Sequence, residues 1–204
     1  MLDVKNNTEL ASRVVEATLK HVPFDGWNEA AVKLAIQDLE LETATFDELF
    51  QGSVSNVIEH YSTMLDQQML DALKDQNLAE MKIRERVHTI VMTRLQLMLP
   101  HRLAAKKTCA YLALPHHAAL GIRLLYRTVS QIWYAAGDTA TDFNFYTKRG
   151  LLAGVYTSTL LYWFNDDSPE FENTGAFLSR RIENVMLIPK LKSRIKQCWP
   201  WGRG

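Results

Sequence analysis

The chain has 204 residues, 47% hydrophobic and 23% charged, which suits one sizeable domain or a small domain joined to a larger one. Its two cysteines, Cys109 and Cys198, lie far apart without a CxxC, which excludes a disulfide framework and points to a reducing compartment. The 23 Lys and Arg balance the 23 Asp and Glu, but residues 1–80 hold 5 bases and 15 acids, and residues 184–204 hold 5 bases and no acid. Different partners are expected at the two ends.

The opening Met1-Leu2-Asp3-Val4-Lys5 has neither the basic region nor the apolar run of a secretory signal, and no transit peptide is read. The longest uncharged stretch, 150–165, is short for a membrane span and reads as a buried helix. In chain order, Thr8 caps a first helix to about His21, with Leu10, Val14 and Val15 inward. Pro23-Phe24-Asp25-Gly26 is a turn. Asn28 caps a helix that places Val32, Ala35, Ile36 and Leu39 on one face. Thr45-Phe46-Asp47-Glu48 has the form of a capping box on a short helix ending near Gly52. Ser53 opens a longer helix carrying Val57, Ile58, Tyr61, Leu65 and Leu73. Asn77 with Glu80 is a second box, before a helix through Ile83, Val87, Ile90, Val91 and Leu95 that stops at Pro100.

Further helices are predicted over about 102–113, 116–136, 142–165 and 170–187. Ser168-Pro169-Glu170 is a strong start for the last, and a separate segment follows Pro189. The fold expected is all-α, a bundle of about nine or ten helices. Its regions are 1–76, 77–187 and a tail, 188–204. The first four helices have the layout of a helix-turn-helix module, and the longer helices behind them resemble the ligand-enclosing domain of TetR-type regulators.

A ligand-responsive repressor is the alternative this layout raises, and charge argues against it. Between His21 and His60 the only base is Lys33, facing eight acids. The short helix in the recognition position offers Asp47 and Glu48, and DNA binding needs cations on the phosphates. No nucleic acid is expected.

No catalytic signature is present: no GxSxG, no Gly-rich phosphate loop and no HExxH. Glu85 and His88 form one ExxH, but a di-iron bundle needs two such pairs and two more carboxylates, so neither metal nor cofactor is expected. His116 and His117 read as a helix start after Pro115. Asp138, Asp142, Asp166 and Asp167 lie at helix boundaries and read as caps.

Ten of the 20 aromatic residues fall between Tyr126 and Phe164, interleaved with Ala135, Ala136, Gly150, Ala153 and Gly154. Packed core is one reading; an apolar cavity left by the small residues is the other. The candidate lining is Leu125, Val129, Trp133, Leu152, Val155, Tyr156 and Thr159. In the tail, Leu187, Ile188, Leu191, Ile195 and Trp199 recur at helical spacing, with Lys190, Lys192, Arg194 and Lys196 on the polar side. A basic amphipathic helix ending in tryptophan suits an anionic bilayer surface; packing on the body or on a partner chain is the other reading.

Trp133-Tyr134-Ala135-Ala136-Gly137-Asp138-Thr139-Ala140-Thr141-Asp142-Phe143-Asn144-Phe145-Tyr146-Thr147 resembles the signature of the COQ9 family. So do Asp167-Ser168-Pro169-Glu170-Phe171-Glu172-Asn173-Thr174, Arg94-Leu95, Leu99-Pro100 and Leu114-Pro115-His116, and the likeness is dense over about 85–187. The resemblance implies a TetR-like fold with a vestigial helix-turn-helix, a homodimer, a pocket for isoprenoid lipid and a C-terminal amphipathic membrane helix. It implies an accessory, non-enzymatic role in ubiquinone biosynthesis, presenting a polyprenylated quinone precursor to a COQ7-type di-iron hydroxylase. Ile132, Phe145 and Tyr146 become the docking candidates, with Phe145 standing where the best-known members have tryptophan. A cytoplasmic protein, peripheral on a bacterial inner membrane, is the localisation expected.

Overall fold

The computed structural model describes the backbone of residues 2–138 and 143–198 and the side chains of 6–138 and 146–185. Among these residues every regular element is helical. They are α1 (Leu2–Asp25), α2 (Glu29–Asp38), α3 (Thr45–Phe50), α4 (Val54–Ala72), α5 (Ile83–Met98), α6 (Arg102–Leu112), α7 (Ala118–Ala135), α8 (Phe143–Trp163) and α9 (Glu172–Cys198). Short 3-10 turns lie at Leu78–Glu80, Leu99–His101 and Pro169–Phe171. The chain forms two compact units. The first is Met1–Gln76 with Thr93–Gln131, and the second is Asn77–Met92 with Ile132–Gly204.

In the first unit, α1 packs on α2, α4 and α6. Its predicted inward residues Val14 and Val15 are fully buried. The expected turn at Pro23 is instead the last turn of α1, and Gly26, with φ +74°, ends the helix in a conformation that favours glycine. Asn28 caps α2 as predicted, its Oδ1 accepting from the Ala31 N–H at 2.9 Å. Val32, Ala35 and Ile36 are buried on one face of α2, and Val57, Ile58, Tyr61 and Leu65 on one face of α4.

The box at Thr45–Glu48 does not form. Ala44 occupies the cap position in helical geometry, and Thr45 lies inside α3 with its side chain buried. Asn77 likewise makes no side-chain cap; Glu85 caps instead, its Oε2 accepting from the Lys82 N–H at 3.1 Å.

A charged cluster ties α4, α5 and α7 within the first unit. Arg94 donates to Asp66 Oδ1 from Nε at 3.1 Å and Nη2 at 2.9 Å, and Thr128 donates to the same oxygen at 3.0 Å. All three residues are buried, so the ion pair and its hydrogen bonds must offset the loss of water around both charges.

In the second unit α8 and α9 pack together. The link between them is fixed by Asp166, whose carboxylate accepts from the Ser168 N–H at 3.0 Å, the Thr174 N–H at 2.8 Å and the Thr174 hydroxyl at 2.5 Å. Burial alone would raise this carboxyl, but the hydrogen bonds from Thr174 and Ser168 outweigh it and hold the pKa at about 2. Capping by Asp166 matches expectation. The helix starts later than predicted, because Glu170 and Phe171 have positive φ. The expected break at Pro189 is absent: α9 runs on as helix to Cys198, through flanking Met, Leu and Lys residues that favour helix. The predicted separate amphipathic helix is therefore the end of α9.

A cleft in the second unit

α5, α7, α8 and α9 enclose a cleft of about 400 Å³ within the second unit. Its apolar walls are Ile83 and Val87 of α5, Trp133 of α7, Leu151, Leu152 and Val155 of α8, and Ile182 and Val185 of α9. Helical spacing explains the facing: 151, 152 and 155 share one side of α8, and 182 and 185 one side of α9.

Arg84 of α5 also lines the cleft, and a polar edge of it is built where α7 ends. Gly137 there has φ +84°, and a Cβ on it would come within 3.0 Å of the Arg86 guanidinium. Arg86 uses that guanidinium as a clamp. It donates to the carbonyls of Met81 at 2.9 Å, Ala79 at 2.8 Å and Ala136 at 3.0 Å, joining the start of α5 to the end of α7. Next in sequence, Asp138 pairs with Lys148 at 2.6 Å. Lys148 lies 5.7 Å from the centre of the Trp133 ring, and the Trp133 indole N–H donates to the Lys148 carbonyl at 3.2 Å. Asp138 was expected as a cap; its described carboxylate contacts are this ion pair and Arg149 Nη1, 3.8 Å from Oδ2. Asp142 lies outside the described residues.

A second cleft of about 550 Å³ and mixed lining lies between α5 and α9. Arg84 and Ile182 line both. The second cleft adds Met81, Glu85, His88, Thr89, Ser179 and Glu183. His88 Nε2 is 3.1 Å from the Gly175 carbonyl oxygen.

Of the seven candidate lining residues, Trp133, Leu152 and Val155 meet in the apolar cleft. Tyr156 and Thr159 are buried elsewhere in α8, and Leu125 and Val129 belong to the stretch of α7 assigned to the first unit. Small residues do not make the space. Gly150 and Gly154 are exposed, with nothing within 4 Å of an added Cβ, so they lie on the outer side of α8. Among the ten clustered aromatics, Tyr156, Trp163 and Phe164 are core, while Tyr126, Tyr134, Tyr146 and Tyr162 are exposed. Sequence reasoning missed Arg86 and the α9 wall. An arginine three residues from an apolar helix start carries no signal of carbonyl clamping, whereas the spacing of Ile182 and Val185 was legible.

Of the docking candidates, Ile132 is fully buried and Tyr146 is 68% exposed. The Phe145 side chain lies outside the description. So do the side chains of Leu187, Ile188, Lys190, Leu191, Lys192, Arg194, Ile195 and Lys196, and all of Trp199. Among the described residues no helix is long and apolar enough to cross a membrane, and no three His, Cys, Asp or Glu are grouped to hold a metal ion. On α3, Asp47 and Glu48 are exposed, as the charge argument required.

Fold and cleft together define the class: a protein of TetR-like fold, helical in every regular element among the described residues, with an acidic α3 and an apolar cleft in its second unit. A crystal structure of a TetR transcriptional regulator from Nitrosomonas europaea matches with a TM-score of 0.69 at 17% identity, over 87% of this chain and 98% of that one. Such a likeness speaks for the fold alone. The COQ9 family model matches residues 118–189, which include all of α7 and α8 and the α9 wall of the cleft. Over 201 residues, 95% of this chain, the sequence is 32% identical to the bovine and 31% identical to the human mitochondrial ubiquinone biosynthesis protein COQ9. The chain is thus similar to the COQ9 family over nearly all of its own length. It spans 63% of the length of those two relatives.

Proposed function

We propose that this protein is a lipid-binding accessory factor of ubiquinone biosynthesis. It takes up a polyprenylated quinone precursor at a membrane surface and presents it to a di-iron hydroxylase of the COQ7 type, without doing the chemistry itself. The apolar cleft carries this reading. Its walls are aliphatic and aromatic, and each isoprenoid methylene moved out of water contributes about 0.8 kcal/mol. At about 400 Å³ it has the size of a small-ligand site, so a long polyprenyl tail would leave part of its length outside. Membrane proximity suits that geometry. The cleft reaches Val185, and α9 continues from there into the basic stretch with Lys190, Lys192, Arg194 and Lys196.

Exposed Tyr146, beside Phe145, is the part of the proposed docking surface best placed to touch a partner; buried Ile132 would act by shaping it. A repressor role finds no support in α3, where exposed acids would meet phosphates. A homodimer remains part of the proposal. The test is mass spectrometry of organic extracts from the purified protein, with co-sedimentation on anionic liposomes. A co-purifying prenyl lipid is expected. Reversing the charge of Lys190, Lys192, Arg194 and Lys196 together is expected to abolish sedimentation, since each contributes about 1 kcal/mol near an anionic surface. Lipid-free protein that sediments equally well in both forms would overturn the reading.

A further inference from the structure

From Arg86 to Gly137 the chain has no Asp or Glu and seven Lys or Arg, so its basic character is not confined to the terminal stretch. α6 brings part of it to the surface. This helix buries Ala104, Ala105 and Thr108 on one side. Spacing of three and four residues puts Leu103, Lys106, Lys107 and Ala110 on the other, where all four are exposed. Leu103 is 65% exposed, and Leu99 and Leu114, near the two ends of the helix, are exposed as well. Among the described residues neither Lys106 nor Lys107 is held in an ion pair.

α1 adds an aromatic side chain. Lys20 and His101 line one cavity, and the Trp27 indole N–H donates to the Thr108 hydroxyl at 2.9 Å. The stretches 20–27 and 101–108 therefore run side by side in the same direction. Phe24 stands beside the turn of α6 that carries Leu103 to Lys107. It is 86% exposed, more than any other large apolar side chain described. Its position is fixed by the end of the helix, where the Gly26 N–H donates to the Val22 carbonyl at 2.9 Å.

Apolar side chains held out in water beside unpaired lysines mark a surface that something covers. We infer that this face of the first unit is a second membrane contact, which seats on an anionic bilayer. Phe24 and Leu103 enter the boundary between headgroups and acyl chains, while Lys106 and Lys107 reach the lipid phosphates. It goes beyond the proposed terminal contact, because it uses none of the lysines after Val185. The α1 side carries Glu16 and Asp25, so the attraction rests on the α6 lysines. Other occupants fit less well. A nucleic acid would reward the lysines, but its phosphates would not cover Phe24 and Leu103. A protein partner would cover both, but the cores of such interfaces are poor in lysine. A bilayer takes lysine and leucine together and needs no shaped groove.

The test places an environment-sensitive nitrobenzoxadiazole label on the full chain. In a Cys198→Ser background, Leu103→Cys carries the label on α6 and Glu48→Cys carries it on α3 as a control. Cys109, whose thiol burial holds up, stays unlabelled at neutral pH. With vesicles of phosphatidylcholine and phosphatidylglycerol, emission from position 103 is expected to brighten and shift to the blue, while position 48 stays unchanged. In co-sedimentation, Lys106→Glu with Lys107→Glu is expected to weaken binding about thirtyfold. Phe24→Ser with Leu103→Ser is expected to weaken it about tenfold. A label at 103 that stays in water while the protein sediments would overturn the second contact and leave the terminal one standing. A blue shift without vesicles that grows with protein concentration would overturn it too, and would assign the face to another copy of the chain. If the chain does not sediment at all, the membrane part of the carrier reading fails, and this contact with it. The label decides the matter even if a charge-reversed variant does not fold.

Discussion

Two cavities of similar size differ in what surrounds them. The first unit has one of about 480 Å³, where Arg13, Glu16, Lys20, Gln68 and His101 ring a floor that includes Leu19, Tyr61 and Leu65. The second unit's cleft, about 400 Å³, is walled mainly by aliphatic side chains and Trp133, with Arg84, Asp138 and Lys148 as its charged lining. Volume therefore does not identify the lipid site; lining does. In the first cavity polar groups act on one another: burial lowers the pKa of His101, the Glu16 charge raises it and Lys20 lowers it again. A prenyl chain entering there would strip water from charged groups as well as cover apolar ones, which offsets part of its gain. In the second it meets mainly aliphatic and aromatic surfaces that gain from being covered.

The same contrast runs through the interiors. The first unit commits buried charge to rigidity, through Arg94, Asp66 and Thr128. Breaking that cluster is the largest effect expected. Arg94→Ala leaves the Asp66 carboxylate buried without its main partner, at a cost of about 3–5 kcal/mol in urea unfolding. A paired replacement, Arg94→Met with Asp66→Leu, is expected to recover most of that loss; no recovery would mean the pair is more than a structural tie.

In the second unit the corresponding fixture is Asp166. Asp166→Ala removes the acceptor for two N–H groups and a hydroxyl and is expected to cost about 1–3 kcal/mol. The folded carboxyl titrates near 2, below the ordinary 3.8, so its contribution is full above about pH 4 and fades as the pH falls toward 2. The stability difference between Asp166→Ala and the unaltered protein should shrink over that interval. A difference independent of pH would show that the carboxylate's charge is not what matters.

Smaller still is Gly137→Ala at the polar edge of the cleft. Its φ of +84° and the 3.0 Å approach to Arg86 make an alanine cost about 1–2 kcal/mol. Thermal melts give the size, and reduced prenyl binding with it would place the Arg86 clamp in the site's architecture. The smallest effect belongs to Cys109. Burial pushes its thiol up to about 11, only partly opposed by Arg94. Peptide-resolved alkylation at pH 8 should therefore leave Cys109 unmodified until urea is added. Rapid labelling of folded protein would mean the first unit opens readily.

How far these features were legible in the sequence follows from the range of the forces that set them. Element order and the inward faces of α2 and α4 come from local periodicity, and Asn28 needs only the first turn it caps. Thr45 to Glu48 has the right residue types, yet Thr45 is drawn into the core and Ala44 takes the cap, which no local pattern records. Pro189 reads as a break but sits within α9. In the cleft, Leu152 and Val155 were found from spacing along one helix. Tyr156 and Thr159, next to Val155 and one turn on, were not separated from them, because an apolar helix buried on several sides shows little preferred face. The Arg86 clamp joins residues 50 apart in the chain, beyond any motif window.

Photo-cross-linking with a diazirine-bearing prenyl phenol bears most directly on the claim that lining, and not volume, selects the lipid. Both cavities are present in the same molecule and compete for the same probe. Adducts confined to peptides of 83–87, 151–155 and 182–185 are the predicted result. Adducts concentrated in 13–20 and 61–68, the walls of the charged cavity, would contradict it.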